Sequence, residues 1–106
     1  MHIDFSGKTV VVTGAGHGFG RAISLAFAAR GASVWCCDIL ESVKETAQAC
    51  KGEARVFDLR NQQAIQHFAS EVLQQGSVDI LVNNAGGVLG QVGQAIENVS
   101  PEQWQS

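Results

Sequence analysis

Apolar residues occur along this chain in two alternating patterns. Four short runs of β-branched and other apolar residues predict parallel strands over residues 8–13, 33–38, 54–57 and 78–82. The first is expected to be buried, and the third is short enough to lie at an edge of the sheet. Three intervening stretches have apolar residues at helical spacing and predict helices over residues 19–30, 41–50 and 61–75. Gly31 and Gly76 follow the first and third helices, as helix-ending glycines do. Strands that alternate with helices indicate an α/β fold with a parallel sheet.

The first strand runs directly into a glycine-rich turn. Glycines stand at positions 14, 18 and 20, and the first helix is predicted from Phe19. Glycine lets the backbone turn tightly and approach a phosphate closely, and a helix N-terminus offers unpaired N–H groups to an anion. A strand, a glycine turn and a helix start therefore predict a dinucleotide pyrophosphate site. The alternative is an ordinary glycine turn before a helix.

The glycine spacing narrows the choice of motif. A Gly-x-Gly-x-x-Gly pattern fits poorly, because Arg21 stands where its third glycine belongs. The spacing that fits is Thr-Gly-x-x-x-Gly-x-Gly, from Thr13 to Gly20. A second motif, Asn-Asn-Ala-Gly, follows the fourth predicted strand at residues 83–86, where an Asn-rich turn is the alternative. Together the two motifs resemble those of the short-chain dehydrogenase/reductase family. Extended family members and epimerases are less favoured, because their first-turn spacing differs.

This resemblance implies a fold. We expect a Rossmann-like doubly wound parallel sheet, truncated to about four strands in the order 3-2-1-4. We also expect right-handed crossovers to place the first helix on the same face as the connection to the fourth strand. The resemblance covers only the cofactor half of a family member. Residues 1–106 are therefore expected to form the N-terminal part of a single NAD(P)-binding Rossmann domain, without its C-terminal catalytic half.

The resemblance also assigns cofactor-binding residues at the ends of the strands. They are Gly14, His17, Gly18, Phe19, Gly20, Asp38, Asp58, Leu59, Asn84, Ala85 and Gly86. In the family, an acid at the position of Asp58 accepts from the adenine amino group, and the next residue, Leu59, packs on the ring. An aspartate that merely ends a strand is the alternative. Asn84 faces the cofactor ribose, and Ala85 and Gly86 keep the nicotinamide side of the site small.

Asp38 indicates which dinucleotide is bound. It ends the second strand 18 residues after Gly20, near the separation of about 20 that is typical of the acid that binds the adenosine ribose. A carboxylate there accepts hydrogen bonds from both ribose hydroxyls and repels a 2′-phosphate, which favours NAD over NADP. NADP enzymes of the family often carry a base just before the middle glycine or just after this acid, and here those positions hold His17 and Ile39. A solvated aspartate at a strand end is the alternative.

Composition excludes several classes of function. With 106 residues, 45% apolar and 16% charged, the chain has room for one small globular domain. A net charge of −3 with scattered acids and bases predicts no nucleic-acid or membrane surface. We expect Cys36, Cys37 and Cys50 to be buried free thiols in a reducing compartment rather than disulfide or metal ligands. No signal peptide or apolar run of membrane length is found, which makes the cytoplasm the expected location.

The family's catalytic constellation is a Ser followed by a Tyr-x-x-x-Lys in the half beyond the cofactor part, with an Asn on the intervening helix. This chain contains no tyrosine, so it holds no catalytic residue of that kind. A loop is predicted over residues 87–98 and a capped helix start at Ser100.

The resemblance implies that the intact protein is an NAD(H)-dependent oxidoreductase and a homo-oligomer. It would transfer a hydride between the dinucleotide and a small alcohol or carbonyl substrate. We expect the chain to be an inactive fragment of that enzyme. The alternative is a non-catalytic dinucleotide-binding or interaction module of this length.

Overall fold

The structure, a computed structural model, describes residues 3–84. Four strands alternate with three helices along this part of the chain: β1 (Thr9–Thr13), α1 (Gly18–Ala29), β2 (Ser33–Asp38), α2 (Val43–Cys50), β3 (Glu53–Val56), α3 (Gln62–Gln74) and β4 (Ile80–Asn83). Each element predicted for this range is present, with ends shifted by one or two residues at most. The predicted loop over residues 87–98 and the helix start at Ser100 lie outside the described residues.

The four strands form one parallel sheet in the order β3-β2-β1-β4, which confirms the Rossmann-like topology. Because all strands run in the same direction, their carboxyl ends meet along one edge of the sheet. Thr13 at the end of β1 is level with Cys37 in β2 and with Asn83 in β4. The turns after β1, β2 and β3, and Asn84 after β4, therefore all lie at the same edge.

A separate hydrophobic core lies on each face of the sheet. The core beneath α1 and α2 consists of Val10, Val12, Ala15, Val34, Cys36, Val43, Ala47 and Cys50. The core beneath α3 consists of Val11, Trp35, Cys37, Leu59, Ile65, Phe68, Ala69 and Val72. Successive residues of a strand point to opposite faces, so neighbours such as Val10 and Val11 enter different cores. Burial of both faces explains why the two inner strands, β1 and β2, have apolar residues at Val10–Val12 and at Val34–Cys37.

α1 does not lie on the expected face of the sheet, which was the face of the connection to β4. α1 packs on the same core as α2, whereas α3, which connects β3 to β4, packs on the opposite face. The chain steps outwards from β1 to β3 and then returns past β1 to β4. Right-handed crossovers that run in opposite directions along a sheet place their helices on opposite faces. The expectation was wrong because it overlooked this reversal.

A side-chain contact explains why β4 begins later than predicted. The Asp79 N–H donates to the Thr9 carbonyl at 3.0 Å, and Asp79 Oδ2 accepts from the Thr9 N–H at 2.8 Å. Asp79 therefore holds the start of β1 through both its backbone and its carboxylate. The regular pairing of β4 with β1 then begins one residue further on, at Ile80.

All three cysteines are free and buried, as predicted. Burial raises the pKa of the Cys36 thiol to about 11 and that of the Cys37 thiol to about 12, and it also raises the pKa of Cys50. Within residues 3–84 there is no cluster of three side chains of the kind that ligates a metal ion. None of the helices described there has the length and apolar character needed to cross a membrane.

The buried thiols should be unreactive in the folded protein. The thiolate is the nucleophilic form, and raised pKa values keep these thiols protonated at mildly alkaline pH. We expect a disulfide reagent to label Cys36, Cys37 and Cys50 only as fast as the protein unfolds, and all three promptly in guanidinium. Peptide mass spectrometry after timed labelling measures this. Rapid labelling of Cys36 or Cys37 under native conditions would contradict the packing described.

Candidate dinucleotide-binding site

The turn after β1 can be built only with glycine at several positions. Gly14 and Gly18 have φ of +64° and +54°, in the left-handed region that other residues adopt at a cost. Gly20 has a different requirement. A Cβ on Gly20 would lie 2.0 Å from the Gly14 carbonyl oxygen and 2.9 Å from Asn84 Nδ2. The first turn of α1 therefore packs directly on the backbone of the loop.

Gly16 is also part of the turn, although it was not among the predicted site residues. Its N–H donates to Asp38 Oδ2 at 2.8 Å, and its carbonyl accepts from Ser42 Oγ at 2.9 Å. A Cβ at this position would lie 2.8 Å from Asp38 Oδ2 and 2.9 Å from Ser42 Oγ. The loop after β1 is thus fastened to the segment between β2 and α2 by two hydrogen bonds to one glycine.

Asp38 is buried at the carboxyl end of β2, with 6% of its surface exposed. One carboxylate oxygen accepts from the Gly16 N–H, and the other accepts from the Leu40 N–H at 3.2 Å. His17 Nδ1 lies 3.6 Å from Oδ2 of the same carboxylate, and its side chain is largely exposed. The two backbone donors fix the orientation of the carboxylate. Asp38 is therefore not the solvated strand-end residue that was the alternative.

The Asn-Asn motif is joined to β1 through a buried threonine. Thr13 Oγ1 donates to Asn83 Oδ1 at 2.9 Å and accepts from the Asn84 N–H at 3.1 Å. Asn84 Nδ2 donates to the Gly14 carbonyl at 3.3 Å. The end of β4 is thereby locked to the start of the glycine turn. Ala85 and Gly86, the other two predicted residues of the motif, lie outside the described residues.

This lock predicts the effect of removing the Thr13 hydroxyl. Thr13→Val keeps the shape of a fully buried side chain but leaves the Asn84 N–H and the Asn83 amide oxygen without that partner. We expect the free energy of unfolding to fall by about 1–3 kcal/mol, since two hydrogen bonds are lost and each typically contributes about 0.5–1.5 kcal/mol. Urea denaturation measures it. Thr9→Val in the same strand is the control, since the Thr9 hydroxyl makes no hydrogen bond among the described residues, and an equal loss in both variants would contradict the lock.

A cavity of about 380 Å³ opens at this edge of the sheet, within the range typical of small-molecule sites. Its lining residues are Gly14, His17, Asp38, Ile39, Asp58, Leu59, Arg60 and Asn84. Of the predicted site residues in the described range, Gly18, Phe19 and Gly20 are not in that lining. They form the start of α1 beside it, and Phe19 is 78% exposed there. Two of the lining residues, Ile39 and Arg60, were not among the predicted site residues.

Arg60 holds the carboxylate of Asp58. The Arg60 backbone N–H donates to Asp58 Oδ1 at 2.9 Å. In the side chain of Arg60, Nε donates to Oδ1 at 3.1 Å and Nη2 donates to Oδ2 at 2.9 Å. The hydrogen bonds from the Arg60 side chain and backbone lower the pKa of Asp58, so this carboxyl group is ionised at neutral pH. Leu59, between them, is buried in the core beneath α3 while it also lines the cavity. The contact between Arg60 and Asp58 depends on the conformation of the turn after β3, and no pattern in the sequence predicts that conformation.

The start of α1 is open to an anion. No side chain caps this helix, and its first turn contains no acidic residue. The unpaired N–H groups at a helix N-terminus carry a partial positive charge and attract phosphate groups. The edge of the sheet thus combines a glycine turn and a free helix N-terminus with a cavity that two carboxylates line. Such an arrangement is typical of α/β proteins that bind a dinucleotide across the ends of their strands.

Comparison with known proteins agrees with an α/β protein of the dinucleotide-binding class. Residues 8–106 match the sequence profile described as short chain dehydrogenase, and the chain belongs to that family. It is 40% identical over 93 residues to 2-dehydro-3-deoxy-D-gluconate 5-dehydrogenase of Bacillus subtilis, a match that covers 81% of this chain and 37% of the relative. It is 38% identical over 89 residues to human retinol dehydrogenase 13, covering 76% of this chain and 27% of the relative.

A solved structure shows the same fold. The crystal structure of hydroxysteroid dehydrogenase from Escherichia coli superposes with a TM-score of 0.80 and 29% identity, covering 90% of this chain and 49% of that one. The chain therefore spans about a third of the two curated relatives and about half of this solved structure.

Proposed function

We propose that the full-length protein, meaning the whole product of the reading frame that encodes this chain, is an NAD(H)-dependent oxidoreductase. It acts on a small alcohol or carbonyl substrate, and residues 1–106 supply the N-terminal, cofactor-binding part of its Rossmann domain. The observation that carries the proposal is the Asp38 carboxylate, which two backbone N–H groups hold at the wall of the cavity. Family membership supports the oxidoreductase class.

The residues of the turn fit the pyrophosphate of a dinucleotide. At Gly16 and Gly20 a Cβ would collide with neighbouring atoms, so the backbone itself forms the surface of the loop. The uncapped start of α1, with Gly18, Phe19 and Gly20, would bind the phosphates through its N–H groups. When bound, the nicotinamide supplies the hydride acceptor or donor, and the role of this chain is to bind and orient the dinucleotide.

Asp38 favours NAD over NADP. Its carboxylate would accept hydrogen bonds from the adenosine ribose hydroxyls, and a 2′-phosphate at the same place would meet a buried negative charge. The adenine would lie between Ile39 and Leu59, which both line the cavity. Its amino group would share the Asp58 carboxylate with Arg60. Asn84 would face the cofactor ribose, and Ala85 and Gly86 would keep the nicotinamide side of the site small.

The rest of the proposal concerns the full-length protein. Catalysis by a Tyr-x-x-x-Lys pair requires residues beyond this chain, because the 106 residues include no tyrosine. We place the enzyme in the cytoplasm, as a homo-oligomer that binds neither nucleic acid nor a membrane. The alternative is a dinucleotide-binding or interaction module without catalysis, which the absence of tyrosine favours for the chain by itself.

Two observations distinguish the enzyme from the module. The first is the reading frame after Ser106, where we expect a Ser and then a Tyr-x-x-x-Lys. The second is the absorbance of NADH during incubation of the full-length protein with NAD and a set of secondary alcohols. We expect NADH to form and the formation to be lost when that tyrosine is replaced by phenylalanine. A frame that ends without the tyrosine, together with NAD binding, would favour the module.

The chain expressed alone should not behave as a stable monomer. β4 is an outer strand of the sheet formed by the described residues, and Ile80, Leu81 and Val82 make it apolar. An apolar outer strand is a template for pairing with another chain, and an apolar surface without its cover promotes association. We expect residues 1–106 alone to sediment as aggregates or to lack near-ultraviolet circular dichroism, with weak NADH binding and no dehydrogenase activity. A monomer that unfolds cooperatively and binds NADH at micromolar concentration would contradict this.

A further inference from the structure

The hydroxyl of Ser42 makes its contact outside its own helix. Ser42 directly precedes α2, where a serine ordinarily accepts a hydrogen bond from one of the first N–H groups of the helix. Here the side chain makes no such cap, and Oγ instead donates to the Gly16 carbonyl at 2.9 Å. The two residues lie 26 positions apart, so the bond joins the start of α2 to the glycine turn. Ser42 is not among the described residues that line the cavity, and it can affect a ligand there only through the turn.

Gly16 is fixed on both sides by hydrogen bonds. Its N–H donates to Asp38 Oδ2 at 2.8 Å, which holds the peptide group before it, and its carbonyl accepts from Ser42, which holds the peptide group after it. A trans peptide group is planar, and its C=O and N–H point in opposite directions. The bond from Ser42 therefore also directs the His17 N–H away from Ser42. His17 is the residue before α1, so the same bond fixes the direction in which the chain enters that helix.

The turn needs such restraints because of its composition. Glycine loses more conformational freedom on folding than any other residue, and Gly14, Gly16 and Gly18 stand at alternate positions here. A larger residue could not stiffen the chain at Gly16, since a Cβ there would lie 2.8 Å from Asp38 Oδ2 and 2.9 Å from Ser42 Oγ. The two hydrogen bonds hold the loop instead, and a site that is ordered in advance binds its ligand at a lower entropic cost.

We propose that Ser42 is a positioning residue for the dinucleotide, which holds the pyrophosphate-binding turn in its binding conformation through the Gly16 carbonyl. The inference rests on the proposed function, because it concerns the same site. The phosphates would lie against the turn and the start of α1, whereas the adenosine would contact Asp38, Asp58 and Leu59. Loss of the Ser42 hydroxyl should therefore weaken the binding of ligands with a pyrophosphate and leave the binding of adenosine almost unaffected.

The test is calorimetric titration of the full-length protein with NAD. A hydrogen bond between uncharged groups is worth about a threefold to tenfold change in an equilibrium constant, so Ser42→Ala should raise the NAD dissociation constant by about that factor. Ser42→Thr keeps the hydroxyl and should bind NAD nearly as the wild type does. Ser42→Val has the shape of threonine without the hydroxyl and should match Ser42→Ala. The inhibition constant of adenosine, measured by displacement of fluorescent NADH, should change by less than about threefold in every variant.

Ser6→Ala is the matched control. Ser6 Oγ also donates a hydrogen bond, to Asp4 Oδ1 at 2.6 Å, but Ser6 is exposed and lies beside Gly31, just past the end of α1. The variant therefore loses a serine hydroxyl at the opposite end of that helix, and its NAD affinity should be unchanged. Urea denaturation of each variant verifies that it is folded under the conditions of the titration.

The inference is supported if the proteins with a hydroxyl at position 42 bind NAD more tightly than those without it, while adenosine does not distinguish them. It is overturned if Ser42→Ala and Ser42→Val bind NAD as tightly as the wild type, or if Ser42→Thr binds it no more tightly than Ser42→Val. It is also overturned if adenosine affinity falls as much as NAD affinity. In those cases the wild type still binds NAD and the proposed function stands. If the wild type binds no dinucleotide, the proposed function fails and this inference fails with it.

Discussion

Replacing Gly20 with alanine should both destabilise the fold and abolish dinucleotide binding. The added Cβ would lie 2.0 Å from the oxygen and 2.7 Å from the carbon of the Gly14 carbonyl group, which is backbone and cannot rotate away as a side chain can. Either α1 or the glycine turn must move. We expect the free energy of unfolding to fall by about 2–4 kcal/mol, as for overpacked buried positions. Urea denaturation followed by circular dichroism measures this change.

The loss of binding should exceed what instability alone produces. Binding of the pyrophosphate requires the N–H groups of the turn and of the first turn of α1 in one arrangement, which the alanine disrupts. Gly7→Ala is the control, because Gly7, unlike Gly20, has a positive φ, of +80°, and a Cβ there would touch nothing within 4 Å. It should cost about 1–2 kcal/mol from backbone strain alone and leave NAD affinity unchanged. Equal stability and equal NAD affinity in Gly20→Ala and the wild type would refute the packing of the turn.

Replacing Asp38 with serine should shift the cofactor preference of the full-length protein towards NADP. Serine removes the buried negative charge and the acceptors for the ribose hydroxyls, and hydrogen bonds to charged groups are worth about 1.5–3 kcal/mol. We expect the preference for NAD to fall by about 10- to 100-fold, which corresponds to that range. Adding Ile39→Arg should extend the shift, since the exposed Ile39 lines the cavity beside the acid. Titration with both dinucleotides measures the preference.

The control for this experiment is an acid of similar structural role at the opposite end of the sheet. Asp79 accepts a hydrogen bond from a backbone N–H as Asp38 does, but it holds the start of β1 rather than the cavity wall. Asp79→Ser should therefore lower stability without changing the ratio of NAD to NADP affinity. If Asp38→Ser and the double variant leave the ratio as it is in Asp79→Ser, Asp38 is not the acid that binds the ribose.

The elements of this fold were predictable because their signals are local. β1, β2 and β4 coincide with short apolar runs, and α3 has Ile65, Phe68, Ala69 and Val72 on one face, all of which are buried. The order of the strands in the sheet has no such local signal. Apolar runs do not specify which strand neighbours which, so the order 3-2-1-4 depended on the family resemblance carried by the two motifs. The face of the sheet on which α1 packs was wrongly assigned, because that face depends on the direction in which each crossover runs along the sheet.

The site was predictable where a motif or a spacing marks it. Asp38 was placed by its separation from the glycine turn, and the structure brings it within hydrogen-bond distance of that turn. Gly16 and Ser42 were missed, because their contact joins residues far apart in the chain and depends on the shape of two loops. The contact of Arg60 with Asp58 was also missed, since it arises from a turn whose side-chain directions no apolar pattern encodes. The assignment of all these residues to a bound dinucleotide stays a prediction, and Ala85 and Gly86 also lie outside the described residues.

The central claim is that residues of this chain bind NAD in preference to NADP, and calorimetric titration of the full-length protein with each dinucleotide near neutral pH tests it most directly. The account predicts that NAD binds at micromolar concentration and at least about tenfold more tightly than NADP, as expected when a buried carboxylate faces the ribose hydroxyls. Equal or tighter binding of NADP, or no binding of either dinucleotide, would contradict it.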